Sequence, residues 1–466
     1  MALTVNNVGT LKLLNILNKT TTAQGNVLER MATGSKINRG ADDPAGLLAL
    51  TKIDSELTAV NAGITNNQRT DSVLGVADNA LTEIGNLVDE IQRLANESAN
   101  DAALTAEEVA ANQAQIDDAL ASIDRIVTST NFNGKKLVDG SLGINTEVAT
   151  ANKISDVKVY NRESGTTDTS LTVKKTIAAT GASATSVMTG AVTGADGSFS
   201  VQGTLGTAVI TYASNETIAS VTLKINDTTA QTGLSAKASS NVLYVYSKDL
   251  GEDAFVRTKA IEGNDINDKY DRGVDAEVSV NGQATAVDGN VVNYAGDGIS
   301  LSFEIDTLGT GSSVVLTVKG DGVGKSGATF NLGTTAQTRA TIGIEGMYTA
   351  QLGNKTDGYL RSLASGGSNS LLNDPAQAAT IARNAARQVS TLQGRIGGFQ
   401  KFQVRTALNS LNDNKEGLER VKGVIRDVDY AVETAELNKQ NVLLQSAMSL
   451  LGLANQQTSQ VLSLLR

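Results

Sequence analysis

The stretch that constrains this chain most runs from about Leu418 to Arg466. Between Gln440 and Leu465 it carries no charged residue. Apolar residues recur along it at steps of three and four: Leu418, Val421, Ile425, Val428, Val432 and Ala435, then Leu443, Ala447, Leu450, Ala454, Val461 and Leu464. That spacing sets them on one stripe of an α-helix, close to a coiled-coil seam. A second set, Leu437, Leu444, Met448, Leu451 and Leu453, widens the stripe beyond what one partner helix covers. A helix apolar on more than one face must be buried on more than one face. Gln445, Asn455, Gln456, Gln457 and Gln460 break up the apolar run that a membrane span requires. The stretch therefore reads as a helix packed by several neighbours, copies of the same chain foremost.

The opening stretch has a matching character. Val5–Met31 reads as helix, with Leu14, Leu17, Thr21, Gln24, Leu28 and Met31 at heptad steps and only Lys12 and Lys19 charged before Glu29. Two ends so alike are expected to pack together. The first residues lack a basic stretch, an apolar run and a small-residue cleavage site, so any export is expected to use a route that reads no cleaved signal.

A length of 466 residues is enough for three or four domains. The net charge of −10 argues against a nucleic-acid binder, which needs basic patches. There is no His and no Cys, which removes imidazole- or thiolate-built zinc sites, Ser–His triads, Cys nucleophiles and disulfides. Carboxylates and lysines leave catalysis open on composition alone. A chain without cysteine also suits passage from a reducing to an oxidising compartment.

The two prolines have the same setting. Asp43-Pro44 and Asp374-Pro375 each place a capping carboxylate before a proline at the first helical position, where the missing N–H costs nothing. After Pro44 come two heptad runs, Ile53, Leu57, Val60 and Ile64, then Leu74 to Ala95, separated by polar Asn66–Ser72. As one helix, 45–98 would be roughly 80 Å long. A further helix is expected over Ala106–Thr128, followed by a turn at Asn131-Phe132-Asn133-Gly134. Beyond about Ala149, β-formers cluster at Val157–Tyr160, Val209–Tyr212, Val242–Tyr246 and Leu301–Ile305, and Asn281-Gly282 marks a hairpin over Val278–Val287. Helical spacing returns from Ala378 through Phe399; Gly394, Gly397 and Gly398 allow either a break there or close helix approach. The fold class is α+β: long N- and C-terminal helices paired into an α-helical coiled-coil rod, with a mostly β insertion of one or two small domains.

Several of these residues carry a resemblance to a known family. Met31-Ala32-Thr33-Gly34-Ser35-Lys36-Ile37-Asn38 followed by Asp42-Asp43-Pro44-Ala45-Gly46, the Asn131–Gly134 turn with Leu137, Ile425-Arg426-Asp427-Val428-Asp429-Tyr430-Ala431, and the ending Val461-Leu462-Ser463-Leu464-Leu465-Arg466 resemble the terminal signatures of bacterial flagellins. The likeness covers roughly 1–145 and 375–466. Ile225-Asn226-Asp227 with Thr232–Ala236 is similar to the short insert motif of flagellins and hook-associated proteins. The resemblance implies a non-enzymatic filament subunit, exported by the flagellar type III route to the extracellular filament. It implies partners too: further copies in a helical homo-polymer, an export chaperone on the C-terminal helix, and hook-associated junction and cap proteins. It divides the chain into an inner coiled coil (1–43 and 423–466), a rod domain (44–155 and 346–422) and the outer β insertion (156–345). The alternative it leaves is the hook–filament junction protein.

Polar residues of the tail either line a wet channel or fix coiled-coil register. Asp42 and Asp43 read as capping groups rather than an acid–base pair. Gly296-Asp297-Gly298 and Gly320-Asp321-Gly322 lack the ligand spacing of a calcium loop, and Lys135-Lys136 reads as a solvated pair. An enzyme in the insertion would lack histidine ligands for zinc, while its Ser and Thr content would permit O-linked sugars. The resemblance also places the region read by Toll-like innate receptors at Asp89–Ala95 and the following helix. Leu94 is retained there, Glu90 falls where stimulatory members carry Arg, and Gln115 where they carry Glu. Weak activation of that receptor is expected.

Overall fold

The computed structural model describes residues 8–99, 104–150, 152–163, 165, 167–189, 196–262, 266–320 and 327–464. Its helices, in chain order, are α1 (Val8–Thr33), α2 (Pro44–Ser98), α3 (Ala106–Ser129), α4 (Ile218–Asp227), the short α5 (Thr229–Thr232), α6 (Pro375–Phe399), α7 (Arg405–Arg426) and α8 (Tyr430–Leu464). Two compact units emerge, one of Met1–Thr65 with Leu408–Arg466 and one of Asn66–Ala407. The division falls inside α2 and α7.

In the terminal unit, α1 stops at Gly34, whose φ of +68° is the left-handed conformation glycine adopts most cheaply. Asp43 Oδ1 accepts from Ala45 N and Gly46 N, which starts α2, while Asp42 accepts from Asn38 N and Arg39 N. Those two backbone donors hold the Asp42 carboxyl below its usual range, so both aspartates serve turn and cap. The tail is two helices rather than the single one its periodicity predicts. Residues 427–429 break it, because Val428 N donates to Gly34 O and Lys36 N donates to Arg426 O, tying the break to the linker that follows α1. Asp429 then caps α8 through Ala431 N and Val432 N.

In the larger unit, the helical core joins one face of α2 (Leu81, Ile84, Ile91) to α3 (Ile116, Ile123) and α6 (Ile381, Val389, Ile396). The polar stretch 66–72 does not interrupt α2: Asn67 is fully buried and its side-chain amide donates to Leu332 O at 2.8 Å. Gln113 performs the same service for α3, donating to Leu363 O and accepting from Leu371 N, both at 2.8 Å. A capping box of Thr105 and Glu108 begins that helix, and Asp374 caps α6 through Gln377 N. Gly394, Gly397 and Gly398 neither break α6 nor permit a close approach, since a Cβ at each would meet nothing within 4 Å. The irregularity comes just after them, as a π-helical turn over Gln400–Val404 leading into α7.

The β insertion holds two cores, one nested in the other. The first packs a five-stranded antiparallel sheet against a six-stranded one, burying Leu171, Val173, Val280 and Leu316 against Val292, Leu301, Phe303 and Ile305. The second lies within residues 182–272, where a three-stranded and a four-stranded sheet enclose Phe199, Val221, Ile225, Leu243 and Val245 with α4. Thr180 and Val274 exchange backbone hydrogen bonds of 2.9 and 3.0 Å where the chain enters and leaves this second core. That bridge is the boundary the sequence leaves open. The expected turn at Asn133-Gly134 and the expected hairpin at Asn281-Gly282 both form, all four residues having the positive φ such turns require. Asn226, in the last turn of α4, ties it to Ala236 by accepting from its N–H and donating to its carbonyl. Asp297 sits in a turn and accepts from Asn281 and Tyr294; Asp321 and Gly322 lie outside the described residues. Lys135 is exposed, and Lys136 donates to the Thr128 carbonyl at the surface.

Candidate assembly interface

Helices α1 and α8 lie side by side and antiparallel. Gln24 Nε2 donates to Asn441 Oδ1 at 2.7 Å, Arg30 binds Glu433 through two bonds of 2.8 and 2.9 Å, and the Tyr430 hydroxyl donates to Met31 O at 3.2 Å. The Arg30–Glu433 pair is the stronger kind, charge-assisted and two-pronged. Its bond to Glu433 raises the Arg30 guanidinium above its ordinary value despite partial burial. Gln24 and Asn441 thus act as register-fixing polar positions, whereas Gln445 and Asn455 are exposed.

On α1 the seam keeps Leu17, Gln24 and Met31 of the expected row but takes Thr20 and Val27 in place of Thr21 and Leu28, and on α8 it keeps Ala447 of the expected stripe. Thr20 and Val27 on α1 and Gln440 and Ala447 on α8 are the buried residues; Val27 is 2% exposed. Leu17, Gln24 and Met31 flank them, half-buried, while Leu14 and Leu28 point away from the seam, Leu28 being 49% exposed. On α8, Leu437, Leu444 and Leu451 lie half-buried beside the seam. Val432, Leu443 and Leu450 do not; Val432 is 62% and Leu450 53% exposed. Ile425 and Val428, at the break before α8, are half-buried. Leu465 lies outside the described residues, as do the side chains of Val461 and Leu464. The stripe of three- and four-residue steps therefore splits into a row used within the chain and a row left bare.

That bare row continues over the terminal unit. Val8, Leu11 and Ile16 on α1, Leu47 and Leu48 on α2, Val421 and Val424 on α7, and Met448 and Leu453 on α8 are also exposed. So many large apolar side chains exposed on one unit make it a candidate interaction surface, because water contact with them is unfavourable.

Among the described residues there is no cluster of three or more acidic side chains placed to hold a metal, and no helix long and apolar enough to cross a membrane. On α2, Glu90 is exposed and grips Arg93 at 2.6 and 2.9 Å; Arg93 also reaches Glu97. This pairing lowers the Glu90 carboxyl and raises the guanidinium. Gln115 is exposed on α3, and Leu94 is buried in the helical core.

Two family models match the ends of the chain. The bacterial flagellin N-terminal helical region matches residues 5–142 and the bacterial flagellin C-terminal helical region matches residues 379–465. The chain belongs to the bacterial flagellin family. Flagellin from Clostridium tyrobutyricum is 27% identical over 92% of this chain and 93% of its own length. Flagellin from Salmonella typhimurium is 27% identical over 99% of each chain, and B-type flagellin from Pseudomonas aeruginosa is 25% identical over the full length of both. Among solved structures, FliC from Burkholderia pseudomallei is 16% identical over 71% of this chain and 99% of its own, at a TM-score of 0.23, an overlay too low to bear on the fold. Flagellin is a structural protein family. The two models fall on the helical ends; neither reaches the nested β cores between them.

Proposed function

We propose that this flagellin polymerises through the bare rows of its terminal helices. Val432, Leu443 and Leu450 on α8, with Leu14 and Leu28 on α1, meet neighbouring subunits, and the α1–α8 pair forms the inner layer of the extracellular flagellar filament. Leu17, Met31, Ile425, Val428 and Leu451 hold the unit that presents these rows, and Val461, Leu464 and Leu465 extend the interface. The observation that carries this reading is the exposure of the outward row beside a seam already occupied within the chain. The subunit role is preferred to the hook–filament junction role because the curated relatives are flagellins along nearly their whole length.

The same bare surface explains the remaining partners. Before export by the type III route, a chaperone covers the outward face of α8, which would otherwise drive premature association. In the filament, junction and cap proteins meet the same terminal helices at the two ends. Recognition by a Toll-like receptor is weak, because Glu90 presents an acidic group already engaged with Arg93. A reporter-cell dose response equal to that of a stimulatory flagellin would sink that last point.

Seeded polymerisation of the purified chain, followed by electron microscopy, tests the reading. The full chain forms filaments, and a chain ending just before Val421 does not, while its β cores keep their melting transition. Filaments of the same form from the shortened chain would overturn it.

A further inference from the structure

The two Asn-Gly turns of the larger unit have matching backbones. Asn133 and Gly134 have φ of +50° and +76°, and Asn281 and Gly282 have φ of +51° and +81°. The first pair joins Asn131–Phe132 to Lys135–Lys136, and the second joins Glu277–Val280 to Gln283–Ala284. All four residues are exposed, and a Cβ at either glycine would meet nothing within 4 Å. In such a two-residue loop the bond closing the turn comes from the residue after the glycine, so the glycine N–H is left to solvent. That nitrogen sits next in sequence to a primary amide, and its attack on the amide carbon closes a five-membered ring.

The two asparagine side chains differ. Asn281 Oδ1 accepts from Thr172 N at 2.9 Å, and its Nδ2 donates to Asp297 Oδ2 at 2.9 Å. The Tyr294 hydroxyl donates to the same carboxylate oxygen, and the bonds from Asn281 and Tyr294 hold the Asp297 carboxyl below its ordinary range. Both polar atoms of Asn281 are thus tied down, one by a neighbouring strand and one by the next turn. The Asn133 side chain has no hydrogen-bond partner among the described residues. Its neighbours bond elsewhere, Asn131 to Ser129 O and Lys136 to Thr128 O. For Asn281 to swing its amide carbon over Gly282 N, two bonds must break, and the one to a carboxylate is by itself worth about tenfold or more in an equilibrium.

We propose that Asn133 is a site of enzyme-free deamidation in the folded chain, and that the tethers on Asn281 suppress the same reaction there. Gly134 N attacks Asn133 Cγ. The N–Cγ bond forms, the Cγ–Nδ2 bond breaks, and Nδ2 leaves as ammonia with the proton lost from Gly134 N. Water then opens the cyclic imide at either carbonyl: at the former main-chain carbonyl it gives isoaspartate, at Cγ it gives aspartate. Either product sets a new carboxylate beside Lys135 and Lys136. Isoaspartate also lengthens the main chain by a methylene inside a loop whose residues set the register of the hairpin.

The test holds the folded chain at mildly alkaline pH in heavy-oxygen water, then follows both Asn-Gly peptides by mass spectrometry, with isoaspartate and aspartate separated by chromatography. The expected result is labelled product at Asn133 accumulating at least about tenfold faster than at Asn281. In denaturant, where neither side chain is tied, the two peptides convert at similar rates. Asp297→Ala raises the Asn281 rate toward that of Asn133. A folded-chain ratio below tenfold overturns the proposal, as does a ratio that persists in denaturant, which would belong to the flanking residues rather than to the tethers. An unchanged Asn281 rate in folded Asp297→Ala overturns it too. Should circular dichroism show that variant unfolded, the comparison of the native chain with and without denaturant decides alone.

Discussion

Replacing Leu443 and Leu450 together by alanine separates assembly from folding. In the single chain Leu450 is 53% exposed and Leu443 45% exposed, so roughly half of each side chain is still available for burial. Complete burial of a leucine contributes about 1.5–3 kcal/mol, so the unburied half is worth about 1 kcal/mol per residue. The pair therefore loses about 2 kcal/mol of contact energy per subunit, and more if cavities remain in the packed polymer. Because about 1.4 kcal/mol is a factor of ten in an equilibrium constant, the critical concentration for seeded growth should rise by tenfold or more. Sedimentation of filaments across a dilution series measures that concentration, and circular dichroism of the unpolymerised chain reports its helix content. Val27→Ala is the control: it empties a seam position inside the chain and should loosen the α1–α8 pair itself. An unchanged critical concentration, or a loss of monomer helix as large as that of Val27→Ala, would refute the assignment of the outward row.

Gln113→Leu should lower the stability of the larger unit by about 2–4 kcal/mol, because it leaves Leu363 O and Leu371 N buried without partners; a denaturation midpoint unchanged within error would contradict the bonding. Asp374→Ala removes the cap of α6 and should cost about 0.5–2 kcal/mol in the same transition, whereas Asp374→Asn restores most of it. For Glu345 the folded carboxyl titrates at about 7 against an ordinary 4.5, so the folded chain binds a proton there that the unfolded chain releases. Stability from this group is therefore lost as pH rises through that window. Glu345→Gln should match the native chain near the lower limit and exceed it above the upper one by about 1–3 kcal/mol after solvent screening. Urea melts at the two limits measure this, and a native chain equally stable relative to Glu345→Gln at both would count against the burial of that carboxyl.

The parts of the fold written in local chemistry were legible from the sequence. Asp43-Pro44 and Asp374-Pro375 start helices as expected, and Asn133-Gly134 and Asn281-Gly282 turn hairpins, because each depends on one cap or one pair of positive φ angles. The pairing of the two ends was also legible, since neither apolar set is complete alone. What the periodicity concealed is the choice between adjacent rows. Leu14 and Leu28 continue a heptad as well as Leu13 and Val27 do, and only the partner decides which row turns inward. The cross-helix pairs Arg30 with Glu433 and Gln24 with Asn441 are the signal that could have set the register. The break at 427–429 escaped because Val428 keeps the stripe in step; Asp429, two residues after another aspartate and ahead of Tyr430, was the unused cap signal. The nesting of the β cores escaped for a different reason. Its ladders join residues far apart, such as Thr172 with Val315, and a strand pattern does not name its neighbour.

In the proposed filament, one row of α8 packs within the chain and the other packs between chains. A helical reconstruction of the filament by electron microscopy, at side-chain detail, measures this directly. The account predicts that Val432, Leu443 and Leu450 become buried against other subunits while Val27 and Ala447 keep their partners within the chain. Filaments in which those three side chains stay as exposed as in the single chain would contradict it.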